Sequence, residues 1–116
     1  MTWTFWGIVT GEELLASNRE VYGDRRFAEI RHQIVDLLRV ERFDVTSDDM
    51  IRLAESDHTA ALSNPSVRVA VAARNDSIRM LSLYYEAESS DSPWDQQIFD
   101  TLSEAHAWAT GGDPRR

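Results

Sequence analysis

An α/β fold is what this sequence predicts: four strand–helix units, with a mostly parallel or mixed sheet covered by helices mainly on one face. Three observations lead there. Short runs rich in aromatic and β-branched residues alternate with segments of helical periodicity. A Thr followed three residues later by an acid opens a helical segment after three of those runs. The strand-then-helix order is kept along the whole chain, which calls for crossover connections and hence parallel neighbours.

The first strand is expected over Trp3 to Val9 (WTFWGIV). Thr10-Gly-Glu-Glu13 has the form of a capping box, and the helix behind it carries Leu14, Leu15, Val21 and Tyr22 before stopping at Gly23. Asp24 to Glu29 reads as a connecting loop from which Phe27 plugs back into the core. His32 to Leu38 is the second strand, centred on Ile34 and Val35, with Arg39 to Val45 leading out of it. Thr46-Ser-Asp-Asp49 repeats the capping pattern with Asp in the Glu position. Its helix turns Met50, Leu53, Ala54, Ala60 and Ala61 inward and ends at Asn64-Pro65.

Val67 to Ala73 (VRVAVAA) is the clearest strand. Asn75 or Asp76 caps a third helix with Ile78, Leu81, Tyr84 and Tyr85 inside. Gln96 to Phe99 is the last strand. Thr101-Leu-Ser-Glu104 opens a final helix carrying Leu102, Ala105, Trp108 and Ala109.

A length of 116 residues fits one domain, taken as residues 1–110 with a flexible tail at 111–116; Ser89 to Pro93 is the other floppy stretch expected. The chain has no Cys, which removes disulfide scaffolds, thiol catalysis and thiolate zinc sites. A net charge of −8 disfavours phosphate backbones and anionic lipid surfaces, so neither nucleic-acid binding nor membrane insertion is expected. All 12 basic residues are Arg, which excludes Schiff-base lysines and the lysine of a phosphate-binding loop. Met1 to Val9 lacks the features of an export signal, and no stretch reaches the roughly 20 apolar residues of a membrane span; a cytoplasmic location is expected.

Taken together, several motifs resemble the STAS domains, the SpoIIAA-like antagonists of anti-sigma factors. Asp36-Leu37 matches a strand end, Phe43 the family's aromatic, and Thr46-Ser47 the position of its paired serines. The Trp6-Gly7 turn ahead of Thr10 to Leu14, the Asp24-x-x-Phe27 loop, and Phe99 with Ala105 and Trp108 look like small bacterial SpoIIAA-like proteins of unknown function. Asp48-Asp49 stand where the family has Gly-Leu, and only one strand fits ahead of the first helix. The resemblance implies a SpoIIAA-like fold, a non-catalytic regulatory or protein-interaction role, and a phosphorylatable serine at Ser47, or Thr46 beside it. Against that role, Asp44, Asp48 and Asp49 crowd the same turn, and an N-cap explains Thr46 or Ser47 more simply.

The sequence offers no catalytic constellation and no cofactor motif. His32, His58 and His106 are isolated from one another, so no metal site is expected. No G-x-S-x-G elbow or G-x-G-x-x-G loop occurs. Acidic residues, Asp57 among them, read as solvated helix-surface groups. Asp36 differs in ending an apolar strand at the carboxyl edge of the sheet, where it either accepts hydrogen bonds from loop amides or serves a ligand. Trp3 and Phe5 share one side of the first strand and Trp6 takes the other. With Tyr84, Tyr85 and Trp94 they form the candidate interface or ligand groove. The leading expectation is an interaction module that pairs with a protein partner or itself, most simply as a dimer. The alternative is a carrier or sensor for a small apolar ligand.

Overall fold

A computed structural model describes residues 1–111, so the expected tail lies, beyond Gly111, outside the described residues. Four strands, β1 (Thr2–Thr10), β2 (His32–Asp44), β3 (Arg68–Ala72) and β4 (Asp95–Phe99), alternate with helices α1 (Gly11–Tyr22), α2 (Ser47–Ser63), α3 (Asp76–Glu88) and α4 (Leu102–Ala109). The sheet runs β1-β2-β3-β4 and every neighbouring pair is parallel, so the mixed alternative is set aside. A short 3₁₀ helix, Arg25–Glu29, occupies the stretch expected to be loop, opened by Asp24 accepting from the Arg26 amide. Phe27 is buried there as anticipated.

Alternation along the strands sends two different sets of side chains to the two faces. Val69 and Val71 of β3, with Leu37 of β2, join the larger core beneath α1, α2 and α3. Ala70 and Ala72, with Ile34, meet Ala105 and Ala109 of α4, which packs on β2, β3 and β4 from the opposite side. Three helices thus share one face and one helix the other, and α4 leaves β1 uncovered. Trp6 and Ile8 point from that uncovered face and are 69% and 55% exposed.

Strand β2 is longer than its sequence suggests. Arg39 to Asp44, expected to lead away from the sheet, instead pair with Trp6 to Thr10 of β1. Four charged residues, Arg39, Glu41, Arg42 and Asp44, hide the strand, because only Val40 and, in part, Phe43 of this stretch pack into the core. Two register shifts bend the ribbon, each placing one extra residue on β2. Gly7 sits at the second shift with φ of 69°, a left-handed conformation that a side chain disfavours. The expected Trp6-Gly7 turn is therefore part of a continuous strand, lying opposite a bulge on β2.

The helix starts follow their capping signals. Thr10, Thr46 and Thr101 each accept the backbone N–H three residues on. The full reciprocal box forms only at Thr46, where Asp49 accepts the Thr46 amide at 3.0 Å; Glu13 and Glu104 instead take the threonine hydroxyl proton. The short Asp side chain is thus the one that reaches back, although it looked the weaker choice in sequence. Asn64 ends α2 and ties it down: its Nδ2 donates to Phe27 O and Ile30 O, both at 2.9 Å. Ser89 to Pro93, expected to be floppy, is drawn into a turn in which Ser92 N–H donates to Ser89 O and Trp94 N–H to Ser92 Oγ.

Candidate functional site

Between the sheet and the α1–α3 layer lies a cavity of about 100 Å³. Its floor is built from inward-facing strand residues, Gln33, Val35 and Leu37 of β2 with Val69 and Val71 of β3, and Gln96 of β4 closes one end. Trp3 and Phe5 of β1 form one wall, their rings nearly parallel with centroids 6.3 Å apart. The roof comes from Leu14, Asn18 and Tyr22 of α1, Met50, Leu53 and Asp57 of α2, and Ser82 and Tyr85 of α3. A mostly apolar chamber with a few convergent polar groups has the general form of a small-molecule site.

Polar side chains of the lining bond to one another in two sets, while Ser82 Oγ donates to Ile78 O of its own helix. In the first, the Asp57 carboxylate accepts from Asn18 Nδ2 at 3.1 Å and from the hydroxyls of Tyr22 and Tyr85. Asp57 keeps some exposed surface as a residue, but its carboxylate is enclosed. Burial raises its pKa to about 6, although the three donors pull the other way. Burial, and then the neighbouring carboxylate, push both tyrosines well above their ordinary range, so they remain proton donors. In the second set, Trp3 Nε1 donates to Gln33 Oε1 at 2.8 Å. An indole N–H can only donate, so this bond fixes which end of the Gln33 amide carries oxygen. Its Nε2 is then buried and directed toward the Tyr22 hydroxyl, opposing the rise in that group's pKa.

The residues singled out in the sequence are dispersed. Trp3, Phe5 and Tyr85 line the cavity; Trp6 lies on the other side of β1. Asp36 is buried on the α4 face beside Ala72, and its Oδ1 accepts the Leu38 N–H at 3.1 Å, beside the first register shift. Tyr84 is exposed on the outside of α3. Trp94 is core: it is 9% exposed, packs against Tyr22 and Phe27, and donates Nε1–H to Asn64 O at 2.7 Å. Thr46 is the N-cap of α2 and Ser47 its exposed first residue. Of the acids around Ser47, Asp44 pairs with Arg42 at 2.7 Å and Asp49 is engaged with the Thr46 amide. Among the described residues, no three His, Asp or Glu side chains are placed to hold a metal ion, and no helix is long and apolar enough to cross a membrane.

Asp57 corrects the reading of the acids as solvated. It lies four residues after Leu53 and three before Ala60, on the inner stripe of α2. Asn18 and Tyr22, four residues apart on α1, face it. Gln33 has the inward parity of Val35 and Leu37. Each of these polar residues was therefore marked by position, on a face otherwise apolar, and not by any motif.

Two properties define the class of fold: four β-α units in chain order and an all-parallel sheet with three helices on one face and one on the other. No family model matches the chain, and no curated protein is similar to it. Among solved structures it is similar to an uncharacterised protein of the DUF3478 family with a SpoIIAA-like fold from Shewanella loihica PV-4. That match has 14% identity and a TM-score of 0.53, over 93% of this chain and 82% of the other. The chain carries the SpoIIAA-like fold.

Proposed function

We propose that this protein is a non-catalytic binding module that holds a small, largely apolar molecule between its sheet and the α1–α3 layer. The observation supporting this reading is the cavity itself. About 100 Å³ is somewhat less than the roughly 150 Å³ that accommodates benzene in an engineered apolar cavity. The enclosed part therefore suits a guest, or the end of a guest, of about four to six non-hydrogen atoms. Native mass spectrometry of freshly purified protein tests the reading together with titration of cyclopentane, followed through the methyl resonances of Val69 and Val71. Retained mass or saturable methyl shifts are expected. A bare protein whose methyls ignore the probe would sink the proposal.

A second reading is favoured by Trp6 and Ile8: association of the protein with itself or a partner through the open face of β1. It is compatible with the first, because the two surfaces lie on opposite sides of the strand.

A further inference from the structure

The two edges of the sheet are unlike. The β4 edge is five residues long, begins with Asp95 and carries two glutamines. The β1 edge is nine residues long, Thr2–Thr10, with no charged residue and no proline, in a chain of net charge −8. Shortness and charge are the usual protections of an edge strand, and β1 has neither. Among the described residues no strand pairs with its outer side.

The sequence of that edge is self-complementary about Gly7. When two β1 strands run antiparallel and centred on Gly7, Trp6 lies opposite Ile8 of the second copy, Phe5 opposite Val9 and Thr4 opposite Thr10. Each pair is of a kind that stabilises neighbouring strands, aromatic with β-branched or Thr with Thr. The period of two keeps Trp6 and Ile8, exposed in the single chain, on one face of the joined sheet, with the two Trp6 rings as diagonal neighbours. No like charges meet along the edge, which lets a chain of this net charge accept its own copy there. Nine residues a side is well below the roughly 20 to 30 of a standard interface, so the pair is weak, with a dissociation constant on the order of tens of micromolar.

We propose that two copies associate by antiparallel pairing of their β1 edges about Gly7, joining the two four-stranded sheets into one. This rests on the reading of β1 as an association surface, and goes further in naming the occupant, the direction of pairing and the register.

Sedimentation of the full chain, across concentrations spanning that dissociation constant, should show mass rising from one chain to two. Outward-facing amides of β1 should exchange with solvent severalfold more slowly at the top of the series than at the bottom. The chain has no Cys, so introduced cysteines report alone. An equimolar mixture of Trp6→Cys and Ile8→Cys chains, mildly oxidised, should give the mixed disulfide in about tenfold excess over either same-position product, because opposed residues meet the distance a disulfide requires and diagonal ones do not. Amide exchange is read in the wild-type chain and decides the matter even where a variant folds poorly. Rising mass with unchanged β1 exchange, or with no preference for the mixed disulfide, would overturn the edge pairing while leaving self-association through another contact. Mass constant at every concentration would overturn both the pairing and the self-association on which it rests.

Discussion

The two faces of the sheet solve the packing problem in opposite ways. Under α4, Ala70 and Ala72 meet Ala105 and Ala109, and the small side chains bring helix and sheet into close contact. Under α1–α3, valine, leucine and aromatic residues hold the layers apart and leave a chamber edged by a buried carboxylate and a buried amide. The same strand, β3, supplies both faces by alternating Ala with Val. Close packing of small residues leaves no room for a guest, whereas large residues of unlike shape leave space that polar side chains can edge. The difference locates binding capacity on one side of the molecule and rigidity on the other.

Enlarging a residue on each face breaks the comparison most directly. Ala70→Leu adds bulk where Ala70 is fully buried beneath α4, and is expected to cost about 3 kcal/mol. Val71→Leu, directed into the chamber, should change stability by no more than about 1 kcal/mol and weaken cyclopentane binding. Urea unfolding of both variants measures the contrast, and equal costs would show that the two faces are packed alike.

A slightly smaller effect comes from Asp57. Its folded pKa of about 6 stands above the ordinary unfolded value of about 3.9, so the folded state holds the proton more tightly. Its contribution to stability is therefore full below about pH 4, declines as pH rises, and is lost above about pH 6. The amount is on the order of 2 to 3 kcal/mol. Surface pairs work in the other direction, since Arg26 and Arg42 lower the pKa values of Asp24 and Asp44. Comparison with Asp57→Asn cancels those contributions. Wild-type stability minus that of the variant should fall by the stated amount between pH 4 and pH 7. A flat difference would mean that the carboxylate is solvated.

The smallest effect on folding is expected at Trp6. Trp6→Ser should alter stability by less than about 0.5 kcal/mol, because the side chain is mostly in water already. If the open face of β1 is an association surface, sedimentation across a concentration series will show wild-type mass rising and the variant's staying constant. Identical behaviour removes that second reading.

Much of the architecture was legible because local signals agreed with the global fold. The Thr10, Thr46 and Thr101 caps, the Phe27 plug and the Val-Ala alternation of β3 each name an element without knowledge of its neighbours. The outer half of β2 was hidden because its partner, not its own composition, makes it a strand. The site was less legible for a related reason. Trp3, Phe5 and Tyr85 were found as large aromatics, but Trp94 proved to be a core residue and Asp36 a backbone acceptor. Gln33 and Asp57 carry no motif. Their role arises from parity on a strand and phase on a helix, and becomes visible only when elements 30 residues apart in Trp3–Gln33, or 39 apart in Asn18–Asp57, are brought together.

Asn64 couples three segments remote in sequence. Its side chain fastens the connection that enters β2, its own backbone closes α2, and its carbonyl secures the tryptophan that precedes β4. Three helix-to-strand crossings at one end of the sheet thus share a single fastening, so a fluctuation that frees one leaves the others without their anchor. Such segments open together or stay shut, and their amides should exchange with solvent as one cooperative unit.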